Sequence, residues 1–264
     1  MNVLRTGLLV SFFAFAATPA SGQDILQGVD LTSPAMTEAE FTREEVARRL
    51  ADATREMPAD FTGTRLSGLD LSGLDFKGAL LWSARLNNAN LKEANLSGAV
   101  LDQAWLLGAD LTGAKMTDAS LFQAQLVGAK LDKADLSGAR LPINFSRASL
   151  KGARLTGASL GADMRNQSMG LTRGVLSSAD LEGADLSNAD LSRVDFSFAS
   201  LRGANLAGAD LTSATLAGAD LTGARVGGAD FSQADLRSAK LTGLIDADEA
   251  NLEQARNLAS AFRD

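Results

Sequence analysis

Residues 79–101 read Ala-Leu-Leu-Trp-Ser, Ala-Arg-Leu-Asn-Asn, Ala-Asn-Leu-Lys-Glu, Ala-Asn-Leu-Ser-Gly, Ala-Val-Leu. Leucine recurs at every fifth position, and alanine stands two residues before each leucine. A period of five is neither the 3.6 of an amphipathic helix nor the 2 of a half-buried strand, so the segment is a repeat before it is either element. From Phe61 the large apolar centres run Leu66, Leu71, Phe76, Leu81 and onward at every fifth residue to Leu141, and from Ala79 through Ala139 the preceding small position is alanine thirteen times running. A second run extends from Leu171 through Leu176, Leu186, Phe196, Leu211, Val226 and Phe231 to Leu241. A unit this short buries one large and one small side chain, because a tight coil has no room for two large ones. The other three positions vary among Asp, Asn, Ser, Thr, Gly, Lys and Arg, which suits solvent and corner turns.

Units such as Ala89-Asn90-Leu91-Lys92-Glu93, Ala184-Asp185-Leu186-Ser187-Asn188 and Ala209-Asp210-Leu211-Thr212-Ser213 resemble the pentapeptide repeat family over roughly residues 59–243. The resemblance implies an all-β solenoid, a right-handed quadrilateral β-helix in which each pentapeptide forms one side and four complete a coil. Seventeen centres in the first run, five irregular ones and fifteen in the second give 37, or about nine coils. At the spacing of about 4.8 Å per layer, the rod is about 43 Å long. Between the runs the period stumbles: Leu141 is followed after four residues by Phe145, then by Leu150, Leu155 and Leu160, after four by Met164 and after seven by Leu171. This reads as coil irregularities with a small loop at Arg165–Gly170. Either Arg165, Asn166 and Gln167 form a recognition loop, as interrupting loops do in some relatives, or the insertion is a neutral bulge.

The flanks divide the chain further. Met1–Gly22 reads as a secretory signal peptide, with Arg5 in its charged region, an apolar stretch from Leu8 to Ala17 and small residues thereafter. That apolar stretch is shorter than the roughly 20 residues of a membrane span. The expected location is periplasmic or secreted from a bacterial cell. Residues 23–58 form an N-terminal arm and cap: Thr37-x-x-Glu40 and Thr42-x-x-Glu45 are capping boxes, and Phe41, Val46, Leu50 and Ala53 make an apolar stripe, so Thr37–Ala53 is expected to be helical. The repeat occupies residues 59–245. Residues 246–264 are expected to form a C-terminal helical cap, opened by Asp246-x-x-Glu249 and packed through Leu252, Ala255, Leu258, Ala259 and Phe262. Exposed strand edges at both ends of a solenoid call for such caps. The resemblance also admits a homodimer through the C-terminal helix, since gyrase-binding relatives are end-to-end dimers.

Composition narrows the chemistry. The 264 residues include no His, Cys or Tyr, which removes imidazole bases, thiolate nucleophiles, zinc knuckles and disulfides. No cofactor is called for, and only carboxylate chemistry remains. The formal net charge is −7, and −8 without Arg5, which offers no footprint for nucleic acid or an anionic membrane. Residues twenty apart stack, so Leu80, Trp82, Val100 and Phe122 share one side of the rod and Trp105, Leu107 and Val127 the next. This apolar group, with both tryptophans, is either a protein-interaction surface or ground covered by the arm from Asp24 to Met57. Asp190, Asp210 and Asp230 form a ladder beside Asp195 and Asp235. The gyrase-binding relatives imitate DNA with acidic rods, but nine acidic against six basic residues between Leu171 and Leu241 is a mild excess. The ladder lacks the clustered carboxylate and carbonyl ligands that calcium takes. A carboxylate enzyme acting on envelope polysaccharide needs a cleft, and a convex rod supplies none. The reading is a non-catalytic binding or scaffolding rod.

Overall fold

The computed structural model describes residues 28–162 and 173–263. Through the repeat, parallel bridges join each residue before a centre to the one twenty positions on, as in Asp60 to Leu80, Arg65 to Arg85, Asp70 to Asn90 and Asp75 to Asn95. The chain therefore closes a four-sided coil every twenty residues. Each side is too short for a continuous strand and contributes a single bridge to each neighbouring coil.

The backbone accounting for one unit shows why five residues suffice. Leu80 N donates to Ala59 O of the previous coil, while Leu81 N and Ser83 N donate to Val100 O and Asp102 O of the next. Ala84 N closes the corner on Leu81 O at 3.0 Å. Ser83 has φ of 52°, and Gly or a polar residue takes this left-handed place at the other corners except at Phe198, as a type II turn favours at its third residue. One N–H per unit is left over, at the residue after the centre. Its usual acceptor is a side chain two residues earlier: Thr112 N donates to Asp110 Oδ1 at 3.2 Å and Ser187 N to Asp185 Oδ1 at 3.1 Å. Asp or Asn before the centre is thus a turn residue, forming an Asx-turn. Where another residue stands there, the previous coil can substitute, as Asp102 does for Phe122 N and Asp132 for Lys151 N. Inside, the leucines and alanines stack with almost no exposure from Phe61 to Leu241.

Four faces result, each named by its bridging residues. Face one carries Leu80, Val100, Ser120, Arg140, Ser159, Asp190, Asp210 and Asp230; face two carries Arg65, Arg85, Trp105, Gln125, Asn144, Val175, Asp195, Thr215 and Asp235. Face three runs from Asp70 to Lys240, and face four from Asp75 to Ile245.

Two corners between faces one and two depart from the rule. At Leu141-Pro142-Ile143 the turn has lost a residue, and Ile143 N reaches back to Leu141 O at 2.8 Å, a three-residue turn. Ile143 then fills the small inward position, 2% exposed. The Asn144–Val175 bridge places Gly174 over it in the next coil, so a large residue meets the smallest one. At the second corner the ladder passes from Leu160 to Leu176, both buried, so the chain leaves the ladder at Gly161 and rejoins it at Gly174; the loop expected at Arg165–Gly170 lies outside the described residues. Met164 and Leu171, counted above as centres, and Arg165, Asn166 and Gln167 lie outside the described residues.

The ends differ from expectation. The N-terminal helix is split into α1, Pro34–Thr37, and α2, Arg43–Ala51. Only the second capping box forms, with Thr42 Oγ1 accepting from Glu45 N and Glu45 Oε2 from Thr42 N. Glu40 instead runs alongside the first coil: its N–H donates to Arg65 O and its carboxylate accepts from Arg65 N. Val46 is fully buried and Phe41, Leu50 and Ala53 pack on the core, so α2 plugs the open coil.

The expected C-terminal helix is absent. Asp246 and Asn257 both adopt left-handed φ, and the chain makes three single 3-10 turns, Ala247–Glu249, Leu252–Gln254 and Leu258–Ser260. Between them it keeps winding: Ile245, Arg256 and Phe262 bridge to Arg225, Asp235 and Lys240. Apolar spacing of three, in Leu252, Ala255, Leu258 and Ala261, fits a helix face but equally fits these turns. The coil edge decides, because it offers backbone bonds such as Leu236 N to Arg256 O and Leu241 N to Phe262 O that a separate helix would leave unmet. Leu252, Ala255 and Leu258 pack on the core, whereas Ala259 and Phe262 are exposed.

Candidate interaction surface

The apolar residues singled out above form one band across the first coils. Leu80 and Val100 are neighbours on face one, and Trp105 lies on face two. Trp82 and Phe122 occupy the corner between these faces, and Leu107 and Val127 the corner between faces two and three. Trp82 is 47% exposed, and the other six are half-buried. Leu80 with Val100, and Leu107 with Val127, stack on successive coils about 5 Å apart, while Asp102 stands between Trp82 and Phe122 at their corner. The Arg140 guanidinium lies 5.1 Å above the Phe122 ring, a cation–π contact that closes the band on one side. The stems of the Gly161–Gly174 excursion leave from the corner that carries Trp82 and Phe122: Ala162 N donates to Ser192 O and Gly174 N to Leu160 O.

On the opposite side stands the N-terminal arm. Asn87, one coil before Leu107, is buried; its Nδ2 donates to Met36 O at 3.1 Å and its Oδ1 accepts from Leu107 N at 3.0 Å. Met36 itself is 6% exposed. The arm therefore covers the band's edge but leaves Trp82 open. Sequence reasoning passed over Asn87, whose type is ordinary for the repeat. It also passed over Phe198, which is 72% exposed and has φ of 59°. Every other non-glycine residue with positive φ among those described is polar. The anomaly was visible as a Phe in the second position after Phe196.

The acidic ladder forms as the spacing demands, with Asp190 bridged to Asp210 and Asp210 to Asp230. Each of its carboxylates accepts the N–H two residues on, from Ser192, Thr212 and Ser232. The Ser232 hydroxyl, Asn251 and the Ser232 amide hold the Asp230 carboxyl below its ordinary range. On face three, burial works against the charge of Asp220, but the Thr222 hydroxyl and amide and the Lys240 ammonium outweigh it and lower its pKa to about 2. These carboxylates are occupied by turns and neighbouring cations rather than gathered around a reacting group.

A cleft of about 620 Å³ lies between α2 and the first coil, lined in part by Phe41, Arg49, Met57 and Asp60. Arg49 spans it, its guanidinium 4.5 Å from the Phe41 ring centre and 5.3 Å from that of Phe61, while donating to Asp60 O. These contacts tie the plug to the rod.

The family model for pentapeptide repeats matches residues 59–82, 83–118, 119–142, 171–206, 189–226 and 214–256. The chain belongs to the pentapeptide repeat family. Its coil is the family's right-handed quadrilateral β-helix. Among solved pentapeptide repeat structures, the chain is similar to HetL of Nostoc sp. strain PCC 7120, a protein involved in heterocyst differentiation regulation: identity is 33%, coverage 81% of this chain and 96% of HetL, and the TM-score 0.49. It is also similar to QnrB1, a plasmid-mediated fluoroquinolone resistance protein, at 19% identity, with coverage of 78% and 91% and a TM-score of 0.48. A third similarity is to the thylakoid-lumen protein AT2G44920 of Arabidopsis thaliana, at 28% identity, with coverage of 49% and 69% and a TM-score of 0.22. No curated protein matches the chain.

Proposed function

We propose that this pentapeptide repeat protein is a non-catalytic binding rod, exported to the bacterial envelope or beyond, that holds a protein partner against the band from Leu80 to Val127. The observation that carries the reading is the exposed Trp82 among half-buried apolar neighbours, on outward positions that the coil elsewhere fills mainly with polar residues or glycine. Contiguous apolar surface with aromatic anchors is the ordinary composition of an interface core. The Met1–Gly22 segment, with Arg5 ahead of the apolar stretch from Leu8 to Ala17, supports export.

The test is affinity capture from envelope extract by the full chain and by the Trp82→Ser, Trp105→Ser double variant, matched in circular dichroism. The expected result is a protein retained by the wild type and lost by the variant. Identical capture by both would overturn the assignment of the band. DNA imitation is less favoured because the ladder's carboxylates serve their own turns. A supercoiling assay with DNA gyrase should show no inhibition at micromolar protein.

A second proposal concerns self-association through the C-terminal end. It is supported by Ile245 and Phe262, exposed at 41% and 61%, on a final coil that no helix plugs. Phe262→Ser should then lower the mass measured by light scattering from that of a dimer to that of a monomer.

A further inference from the structure

The arm meets the rod through two segments that are held very differently. From Glu40 onward the attachment is dense: Glu40 is bonded in both directions to the Arg65 backbone, and the Arg43 guanidinium donates to Asp70 O at 2.6 Å and Ser72 O at 2.9 Å. Arg49 adds Asp60 O. Before Glu40 the attachment is slight. Among the described residues it consists of α1, a helix of four residues, the buried Met36 side chain, and the bond from Asn87 Nδ2 to Met36 O. Glu38, which joins the two segments, is in extended conformation with φ of −102° and ψ of 140°.

The rod beneath this lightly held segment is also unlike the rest. Residues just after a centre generally keep part of their surface in water, yet Ser67 and Asn87, stacked at the corner between faces two and three, are 4% and 5% exposed. The Ser67 hydroxyl is buried without a hydrogen-bond partner. A buried orphan hydroxyl costs free energy that water would relieve, so this contact carries an internal incentive to open.

We infer that α1 is a displaceable strap: it covers the edge of the apolar band in the free protein and lifts, without unfolding of the coil, when a partner takes that edge. Asn87 is the clasp, since one side chain joins the strap to the Leu107 amide within the band. Lifting uncovers Ser67 and Asn87 beside Leu107 and frees the Met36 site for an apolar side chain of the partner. This inference rests on the band being the partner surface, as proposed above.

The chain contains no cysteine, so a single introduced thiol reports on one place. Ser67→Cys puts it at the buried corner one coil before Asn87, the place the strap is inferred to cover, and Ala84→Cys puts it in the fully buried core as a control for global unfolding. Labelling with N-ethylmaleimide under native conditions should be at least about a hundredfold faster for Ser67→Cys. Adding Asn87→Ala should speed the Ser67→Cys reaction about fivefold relative to the control in the same background, the effect of losing one ordinary hydrogen bond. Equal rates for the two thiols would mean that the strap opens only with the whole rod, and would overturn the inference. So would a ratio unmoved by Asn87→Ala. The protein captured in the preceding experiment, added in excess, should accelerate labelling of Ser67→Cys. If it is lost with Trp82→Ser, Trp105→Ser yet leaves that labelling unchanged, the band stands and the strap fails. If nothing is captured the band fails, while the ratio of the two thiols still decides whether the strap opens.

Discussion

On face three, Asp70, Asn90 and Asp110 follow one another, and each accepts the corner N–H two residues on, from Ser72, Lys92 and Thr112. Asn90 Nδ2 also donates to Asp70 Oδ1 at 2.9 Å, and face four repeats the device with Asn95 and Asp75 at 2.8 Å. On face two the same positions hold Arg65, Arg85 and Trp105, and on face one Leu80 and Val100, none of which can cap a corner. Through these first coils the backbone is equally regular beneath all four. The Asp and Asn residues before the centres of faces three and four are explained by the turn they close, whereas the apolar band gives up that stabilisation without distorting the solenoid. Its composition is not set by the turn chemistry of the coil, and the comparison can be broken at several depths.

The deepest break ignores the faces altogether. Leu106 is fully buried and Leu107 is the half-buried outward residue beside it. Leu106→Asp places a carboxylate in the leucine stack and should cost more than about 4 kcal/mol, abolishing the cooperative urea transition. Leu107→Asp should cost less than about 1 kcal/mol, as surface changes do. Similar losses from both would mean that the band belongs to the core.

A smaller break tests the irregular coil. A Cβ on Gly174 would lie 3.0 Å from Leu160 O and 3.2 Å from Leu160 Cβ. Gly174→Ala should therefore destabilise by about 1–3 kcal/mol in chemical denaturation, although alanine fills this inward position in most other coils. An unchanged midpoint would show that the corner relaxes freely around the Gly161–Gly174 excursion.

Face three carries a pH signature. The Asp220 carboxyl is 17% exposed, and its pKa falls from 3.8 to about 2 on folding. A depressed pKa stabilises the folded state above the unfolded value, and the gain is lost as pH falls through about 4 towards 2. Asp220→Asn keeps an acceptor for Thr222 N but cannot titrate. Between pH 5 and pH 2, the wild type should lose about 2 kcal/mol more stability than the variant. Parallel pH profiles would remove the assigned role of Thr222 and Lys240.

The repeat was legible because the five-residue period is written in two residue types at once, from Ala79 with Leu81 through Ala139 with Leu141. The band was legible because a twenty-residue coil stacks Leu80 under Val100 and Trp105 over Arg85. The C-terminal flank was misread because a spacing of three does not separate a helix face from a row of single turns, and the hydrogen bonds offered by the coil edge do not show in a linear pattern. The step from Leu160 to Leu176 was not legible, because Ser159 and Val175 become successive sides of one coil only through their bridges to Arg140 and Asn144. Asn87 escaped notice because its importance comes from Met36, 51 residues away, and nothing local marks it.

The finest break concerns Phe198, which borders the corner between faces two and three but lies beyond the band. Its left-handed φ of 59° costs a bulky residue about 1 kcal/mol that Gly or Asn avoids. The ring offsets part of this by lying against Gly218, where an added Cβ would come within 2.7 Å of it. Phe198→Asn keeps a residue suited to the turn and removes the ring, so the melting temperature should stay level or rise by a degree or two. A loss of more than about 1 kcal/mol would make the ring part of the fold, its contact with Gly218 outweighing the strain. A level or raised temperature would place Phe198 with the band, as a residue whose type the coil does not require.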